Sequence, residues 1–78
     1  MFLTLVLTGF LQEFYGNKKT NTIEVRPVPG QKLKEILQDI GINPLLVSIV
    51  VVDSRRVDLD YVPLPGERIY LIPPLSGG

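Results

Sequence analysis

The sequence of 78 residues contains no cysteine and no histidine. Without cysteine, the chain can form neither disulfides nor thiolate metal sites, and it has no thiol for catalysis. Without histidine as well, a zinc site and a Ser-His or Cys-His nucleophile are excluded. Only carboxylate or lysine chemistry would remain for an enzyme, and no suitable cluster of those residues stands out. We therefore expect a protein that is not itself a catalyst and that binds no metal or cofactor.

An excess of charge of either sign is also missing. Eight Lys and Arg residues balance eight Asp and Glu residues, so that the net charge is zero. The chain thus lacks the global positive field that attracts nucleic acids and anionic membranes. The basic pairs at positions 18–19 and 55–56 are too short to form a patch and are interpreted as solvated turns. No nucleic-acid partner is predicted.

Long hydrophobic runs are absent too. The apolar stretch at positions 1–7 is far too short to cross a bilayer, and it lacks the basic segment and cleavage site of a signal peptide. We therefore expect no membrane partner and a cytoplasmic protein. With 45% hydrophobic and 21% charged residues, the chain has the composition of one small domain that folds alone.

Alternating apolar positions predict two strands in the first third of the chain. Residues 2–8 place their three leucines on one side, and residues 22–26 place Ile23 and Val25 inward. The second strand is expected to fold back against the first. Between them, residues 10–16 change to a spacing of three and four, which predicts a short helical turn whose aromatic side chains cover one end of the core.

One helix is clearly predicted in the middle of the chain. Leu33, Ile36, Leu37 and Ile40 follow the spacing of one helix face, and Gly41 is a typical stop signal. These four apolar residues are expected to pack on the sheet.

The next segment predicts a buried strand and its return. Residues 47–52 are almost continuously β-branched, residues 53–56 form a turn, and Val57 begins the return. Asp58 and Asp60 are interpreted as solvated charges, because a calcium site needs six or more oxygen ligands.

The last strand, predicted over residues 68–72, follows a turn at Pro63–Glu67. Its alternation predicts that Ile69 and Leu71 are buried against the helix. Tyr70 and Ile72 would then lie on the open face of the sheet beside Val6. This small apolar surface is a candidate docking site for a partner, and the alternative is the ordinary scatter of exposed apolar residues.

The chain ends on a segment with its own composition. Pro73 and Pro74 lack backbone donors and end the sheet, which divides the chain into a domain at 1–72 and a tail at 73–78. Leu75 and Ser76 lead to Gly77 and Gly78, which have no Cβ and can enter a cleft too narrow for other residues. Six residues can reach on the order of 20 Å, far enough to enter a partner's active site. The alternative is a frayed end.

The order of these elements resembles the β-grasp of ubiquitin-like proteins. Residues 64–69, followed by residues 72–78, are similar to the ThiS/MoaD family of sulfur carriers, whose chains commonly close on a proline-containing segment and a Gly-Gly. The helical turn at 10–16 is similar to one in MoaD-like members. The resemblance implies an α+β fold, with a mixed sheet of about four to five strands packed on one main helix.

The sequence departs from the family pattern at two places. Residues 53–56 stand where many members have an Asn-Gly turn, and Ser76 precedes the Gly-Gly. Both are places at which a partner could discriminate between carriers.

The resemblance implies a function for the chain end. An E1-like enzyme would use ATP and magnesium to adenylate the Gly78 carboxylate, and a sulfur donor protein would convert it into a thiocarboxylate. A synthase would accept the sulfur in molybdopterin, thiamine or related biosynthesis. Two alternatives stay open: a modifier conjugated through Gly78 to lysines, and a β-grasp interaction module that is never activated.

Overall fold

The computed structural model describes residues 1–16 and 19–75. Within these residues the chain forms β1 (Leu3–Leu7), α1 (Phe10–Tyr15), β2 (Thr22–Val25), α2 (Leu33–Asp39), a 3-10 turn (Pro44–Leu46), β3 (Ile49–Val52), β4 (Arg55–Val57) and β5 (Arg68–Ile72). The strands make one mixed sheet in the order β2-β1-β5-β3-β4. Only the pairing of β1 with β5 is parallel among these strands. The predicted α+β fold with a mixed sheet is confirmed.

The core lies on one face of the sheet, under α2. The leucines of β1 are fully buried, and so are Ile69 and Leu71 of β5 and Leu33 and Leu37 of α2. Tyr70, on the other face, is 39% exposed. The predicted parity of the last strand is therefore confirmed.

The helical turn α1 also forms where it was expected. Leu11 is fully buried, and Phe10 and Tyr15 pack against the core. Phe14 does not cover the core, however, because it is 70% exposed and meets Phe10 edge to face, with ring centroids 5.8 Å apart.

The end of α2 corrects one predicted core residue. Ile40 is 39% exposed, whereas Ile42 is only 2% exposed. Gly41 has a φ of 87°, the Ile42 N–H donates to the Leu37 carbonyl at 2.8 Å, and the Gly41 N–H donates to Gln38 at 3.1 Å. This is a Schellman ending, in which the residue after the glycine folds back over the last turn. Ile42 therefore takes the core position that the helical spacing assigned to Ile40.

The hairpin between β3 and β4 is tighter than predicted. Asp53 and Ser54 have φ values of 51° and 62°, the geometry of a two-residue type I′ turn. The return strand therefore starts at Arg55 rather than at Val57. The sequence predicted a turn at residues 53–56 but not that two residues suffice for it, because neither Asp53 nor Ser54 is the glycine that positive φ usually favours.

Beyond β4 the chain turns through Asp58, whose Oδ1 accepts the N–H of Asp60 at 2.8 Å. The carboxylate of Asp60 lies 2.9 Å from the Lys34 ammonium on α2. The hydrogen bond that the Lys34 ammonium donates, together with its positive charge, lowers the pKa of Asp60.

A side-chain bridge holds the start of β5. The Tyr61 hydroxyl donates to both oxygens of the Glu67 carboxylate, at 2.7 and 2.8 Å, and the Leu64 N–H donates to Oε1 at 2.7 Å. Burial, and then the neighbouring carboxylate, raise the pKa of Tyr61 above its ordinary value. Next to this bridge, the Thr4 N–H donates to the Glu67 carbonyl and brings β1 alongside β5.

The helix ending predicts a difference between two isoleucines of similar sequence context. Ile42→Ala should lower the free energy of unfolding by about 2–5 kcal/mol, because it opens a cavity in the core. Ile40→Ala, as the matched control, should change it by less than about 1 kcal/mol. Urea unfolding followed by circular dichroism measures both. Equal losses would contradict the Schellman arrangement.

The Tyr61 bridge predicts a pH dependence of stability. A raised pKa means that the folded protein holds the phenol proton more tightly, so the contribution is complete below the ordinary value of 10.0. It is lost as the pH rises through the higher pKa of the folded protein. Tyr61→Phe should destabilise by about 1–2 kcal/mol at pH 7, and its deficit against the unmodified protein should shrink above pH 10. Urea titrations at pH 7 to 11 test this, and a constant deficit would contradict it.

Candidate functional site

The candidate site is built around β5, which runs through the middle of the sheet between β1 and β3. Its side chains alternate, so that Ile69 and Leu71 enter the core while Tyr70 and Ile72 point to the open face. The strand that anchors the core therefore also carries the predicted docking residues, and it leads directly into Pro73.

Strand register extends the apolar surface beyond the two predicted residues of β5. Tyr70 lies opposite Val51, and Ile72 lies opposite Ile49. Directly opposed residues point to the same face of a sheet. We call the four residues Ile49, Val51, Tyr70 and Ile72 the docking face; all four are partly accessible.

Val6 lies beside Tyr70, as predicted, and pairs with it across the parallel strands. It is only 4% exposed, however, and the expectation that it contributes accessible surface is wrong. Its position on an inner strand, between Thr22 of β2 and Tyr70 of β5, leaves it enclosed by its neighbours. Val6 therefore lies beside the docking face without adding accessible surface to it.

Ile49 and Val51 were not assigned to the surface by the sequence. A signal was present, since residues 47–52 carry apolar side chains on both parities, and one parity of that strand must face away from the core. The sequence does not show which parity faces away from the core. The register with β5 shows it, because Ile49 and Val51 lie opposite Ile72 and Tyr70.

Two arginines lie at the border of the docking face. Arg56 of β4 is opposite Val51, and Arg68 of β5 precedes Tyr70 by two residues on the same face. Both are exposed. The docking face is therefore apolar in the middle, with Arg56 beside it on the edge strand and Arg68 at the start of β5.

At the chain exit, β5 is hydrogen bonded on both sides up to its last residue. The Leu71 carbonyl accepts from Thr8, and the Ile72 carbonyl accepts the Ser48 N–H at 2.8 Å. Pro73 and Pro74 follow and have no N–H with which to continue the ladder. The pairing therefore ends after Ile72, because the next two residues have no N–H to donate.

The proline segment forms one wall of a groove of about 360 Å³ at the end of β5. Its lining comes from the end of β1, the start of α1 and the chain exit itself, namely Thr8, Gly9, Phe10, Ile72, Pro73, Pro74 and Leu75. Leu75 is 95% exposed. The remaining predicted tail residues, Ser76, Gly77 and Gly78, lie outside the described residues.

Two further kinds of site can be checked in the described part of the chain, a metal site and a membrane-spanning helix. Within residues 1–16 and 19–75, no group of three or more acidic, histidine or cysteine residues could hold a metal ion. In the same ranges, no helix has the length and apolar character needed to cross a bilayer. What the arrangement provides is an apolar surface beside the point where the chain leaves the sheet.

Comparisons with known proteins identify the fold. No protein-family model matches the sequence, and no curated protein matches it. The structure is similar to that of SAMP1 from Haloferax volcanii, with 22% sequence identity, a TM-score of 0.73 and coverage of 100% of both chains. It is also similar to a candidate molybdopterin converting factor, subunit 1, from Pyrococcus furiosus. That chain is 15% identical, with a TM-score of 0.71 and coverage of 95% of this chain and 98% of the other.

Both neighbours confirm the ubiquitin-like β-grasp that the resemblance to the ThiS/MoaD family implied. The match extends over essentially the whole length of all three chains, so the order and packing of the elements are shared.

Proposed function

We propose that this chain is a sulfur carrier protein, activated at the carboxylate of Gly78 by an E1-like adenylating enzyme. The observation that supports this most directly is the continuity of β5, which carries Tyr70 and Ile72 on the docking face and then leads into Pro73-Pro74. A partner that binds the docking face therefore meets the chain end beside it. The name of one structural neighbour, a candidate molybdopterin converting factor subunit, agrees with this role.

The chemistry explains why the chain end needs activation. A carboxylate is a poor electrophile, because its negative charge repels a nucleophile and an oxide is a poor leaving group. In the proposed reaction, an oxygen of the Gly78 carboxylate attacks the α-phosphorus of ATP, and the bond to pyrophosphate breaks. The product is a mixed anhydride with AMP. The terminal sulfur of a persulfide on the donor protein then attacks the acyl carbon and displaces AMP, which gives an acyl disulfide. A thiol of the donor or of the partner enzyme supplies two electrons and breaks the S–S bond, so that a thiocarboxylate is left at Gly78 and a protein disulfide is formed. The thiocarboxylate passes its sulfur to an acceptor synthase.

The carrier supplies position rather than catalysis. ATP and magnesium belong to the partner enzyme, and this chain contributes a docked domain and an unhindered end. Gly77 and Gly78 have no side chains, so the terminal carboxylate can enter a narrow cleft. The sulfur acceptor we propose is a synthase for molybdopterin, thiamine or a related thiolated product.

Two other uses of the same features give different products. A protein modifier would pass through the same adenylate and then form an amide bond with a lysine of another protein. An interaction module would use the docking face alone and leave the chain end unmodified. The activation experiments below separate these two from the carrier.

The docking face predicts a loss of binding without a loss of fold. Tyr70→Asp combined with Ile72→Asp should weaken binding to the adenylating enzyme by on the order of 30-fold or more, because it puts two charges into an apolar contact. Titration calorimetry measures the affinity, and thermal unfolding measures the fold. A matched control is Val28→Asp combined with Leu45→Asp, two apolar residues that are 67% and 87% exposed elsewhere on the surface. The control should bind normally.

Unchanged affinity of the Tyr70 and Ile72 variant would contradict the docking role. Equal weakening in the control would also contradict it, since the effect would then come from added negative charge at any position.

The chain end predicts that activation and folding separate. Deleting Gly78 should abolish adenylate formation, because the terminal carboxylate is then one residue further back. Adding one serine after Gly78 should abolish it as well, because the Gly78 carboxylate then becomes part of an amide bond. The midpoint of thermal unfolding should stay unchanged, since the core ends at Leu71. ATP–pyrophosphate exchange with the adenylating enzyme measures the activation. Exchange at the unmodified rate with either variant would contradict the proposal.

The product decides between the three functions. Intact mass of the protein purified from its own cells should reveal a fraction in which one oxygen is replaced by sulfur. A Gly-Gly remnant on lysines of other proteins would instead support the modifier. An unmodified end, with no adenylate from a panel of E1-like enzymes, would leave only the interaction module.

A further inference from the structure

The connection between β1 and α1 contacts the chain at the point where it leaves β5. Thr8 is the residue after β1, and Gly9 is the first residue before α1. Both are more than sixty residues away from the chain exit in sequence, yet they contact Leu71 and Pro73. Strand pairing alone does not explain the contact of Gly9 with Pro73 or the bond from the Thr8 hydroxyl to Leu71.

Thr8 binds the Leu71 carbonyl twice. Its backbone N–H donates at 3.2 Å and its Oγ1 donates at 3.0 Å. A carbonyl oxygen has two lone pairs and can accept both. The parallel ladder already provides the bond from the backbone N–H. The hydroxyl adds a second bond to the same carbonyl, at the last point where the β1 side of the sheet is hydrogen bonded to β5.

Gly9 lies against the ring of Pro73. A Cβ added at Gly9 would be 2.8 Å from Pro73 Cγ and 3.4 Å from Pro73 Cδ. The first distance is roughly 0.7 Å shorter than the lower end of the favourable range for carbon atoms. Gly9 also has φ 55° and ψ −140°, a conformation that residues with a side chain avoid. The position thus needs glycine both for its backbone angles and for the close approach of the proline.

We infer that Thr8 and Gly9 are positioning residues that set the direction in which the chain leaves the sheet at Pro73. We call their contact with Leu71 and Pro73 the exit contact. The inference rests on the proposed function, because the direction of the tail matters only if a partner must receive the chain end. It adds a role for two residues outside the docking face and outside the tail.

Geometry explains why direction at Pro73 matters. Proline holds φ near −65°, so the path set at Pro73 is passed on through Pro74. When a partner holds residues 74–78 extended over about 13–14 Å, a tilt of about 5° at Pro73 moves the end by roughly 1 Å. A misplacement of that size at a reacting atom lowers a rate by on the order of 10²-fold.

Two variants disturb the exit contact in different ways. Gly9→Ala forces Pro73 to move, and Thr8→Val removes the hydroxyl donor while keeping the shape of the side chain. Each has a matched control. Gly30→Ala puts the same residue at another positive φ, 92°, where a Cβ meets nothing within 4 Å. Thr8→Ser retains the hydroxyl.

The expected result is a split between the kinetic parameters of adenylation. With Gly9→Ala, kcat should fall tenfold or more while KM for the carrier stays within about twofold, because the docking face is untouched. Thr8→Val should lower kcat by a smaller factor, and Thr8→Ser should restore it. Gly30→Ala should match the unmodified protein in kcat.

Two-dimensional proton NMR supplies a readout without any enzyme. The nuclear Overhauser effect between Gly9 Hα and the Pro73 ring should be present in the unmodified protein and should weaken in Gly9→Ala.

The outcomes distinguish this inference from the proposed function. A normal kcat for Gly9→Ala, with an active unmodified protein, overturns the positioning role and leaves the carrier function standing. Equal losses in Gly9→Ala and Gly30→Ala also overturn it, since backbone strain would then be the cause. If the unmodified chain forms no adenylate with any E1-like enzyme, the proposed function fails and the positioning role fails with it. Absence of the Overhauser effect in the unmodified protein overturns the exit contact itself.

Discussion

The parallel pairing of β1 with β5 is the contact on which the rest of the structure depends. It joins the first and last strands of the domain and places Leu5 beside Ile69 and Leu7 beside Leu71, all fully buried. Because β5 then lies between β1 and β3, the two hairpin-like halves of the sheet share one core under α2. Parallel strands need a long connection between them, and here the whole intervening chain supplies it.

Placing the last strand in the centre of the sheet also links stability to function. In β5, one parity enters the core and the other forms the middle of the docking face, so a strand that cannot slip presents Tyr70 and Ile72 in a fixed position. A slip of one residue would put Tyr70 into the core and expose Ile69 and Leu71. The burial of two apolar residues thus specifies the orientation of the surface on the opposite side.

The same arrangement fixes the point at which the chain leaves the sheet. Hydrogen bonds hold the Leu71 carbonyl from the β1 side and the Ile72 carbonyl from the β3 side, and the two prolines then end the ladder because they have no donor. The chain therefore changes from a paired strand to an unpaired segment within one residue. Gly9 adds a steric contact at the first residue past the strand.

Sequence by itself determined the features that depend on local period and local chemistry. Alternation in residues 68–72 separates Ile69 and Leu71 from Tyr70, the spacing from Leu33 to Leu37 defines the helix, and Pro73-Pro74 ends the sheet; the resemblance of the last residues to sulfur carriers suggested the fold. Tertiary structure alone decided what depends on contacts distant in sequence. The backbone reversal at Gly41 exchanged Ile40 for Ile42 in the core, and the neighbours of an inner strand buried Val6. Register between β3 and β5 brought Ile49 and Val51 to the docking face, and the folded chain brought Gly9 against Pro73. A sequence pattern reports the face on which a residue lies, whereas accessibility and proximity are properties of the neighbours that folding brings to it.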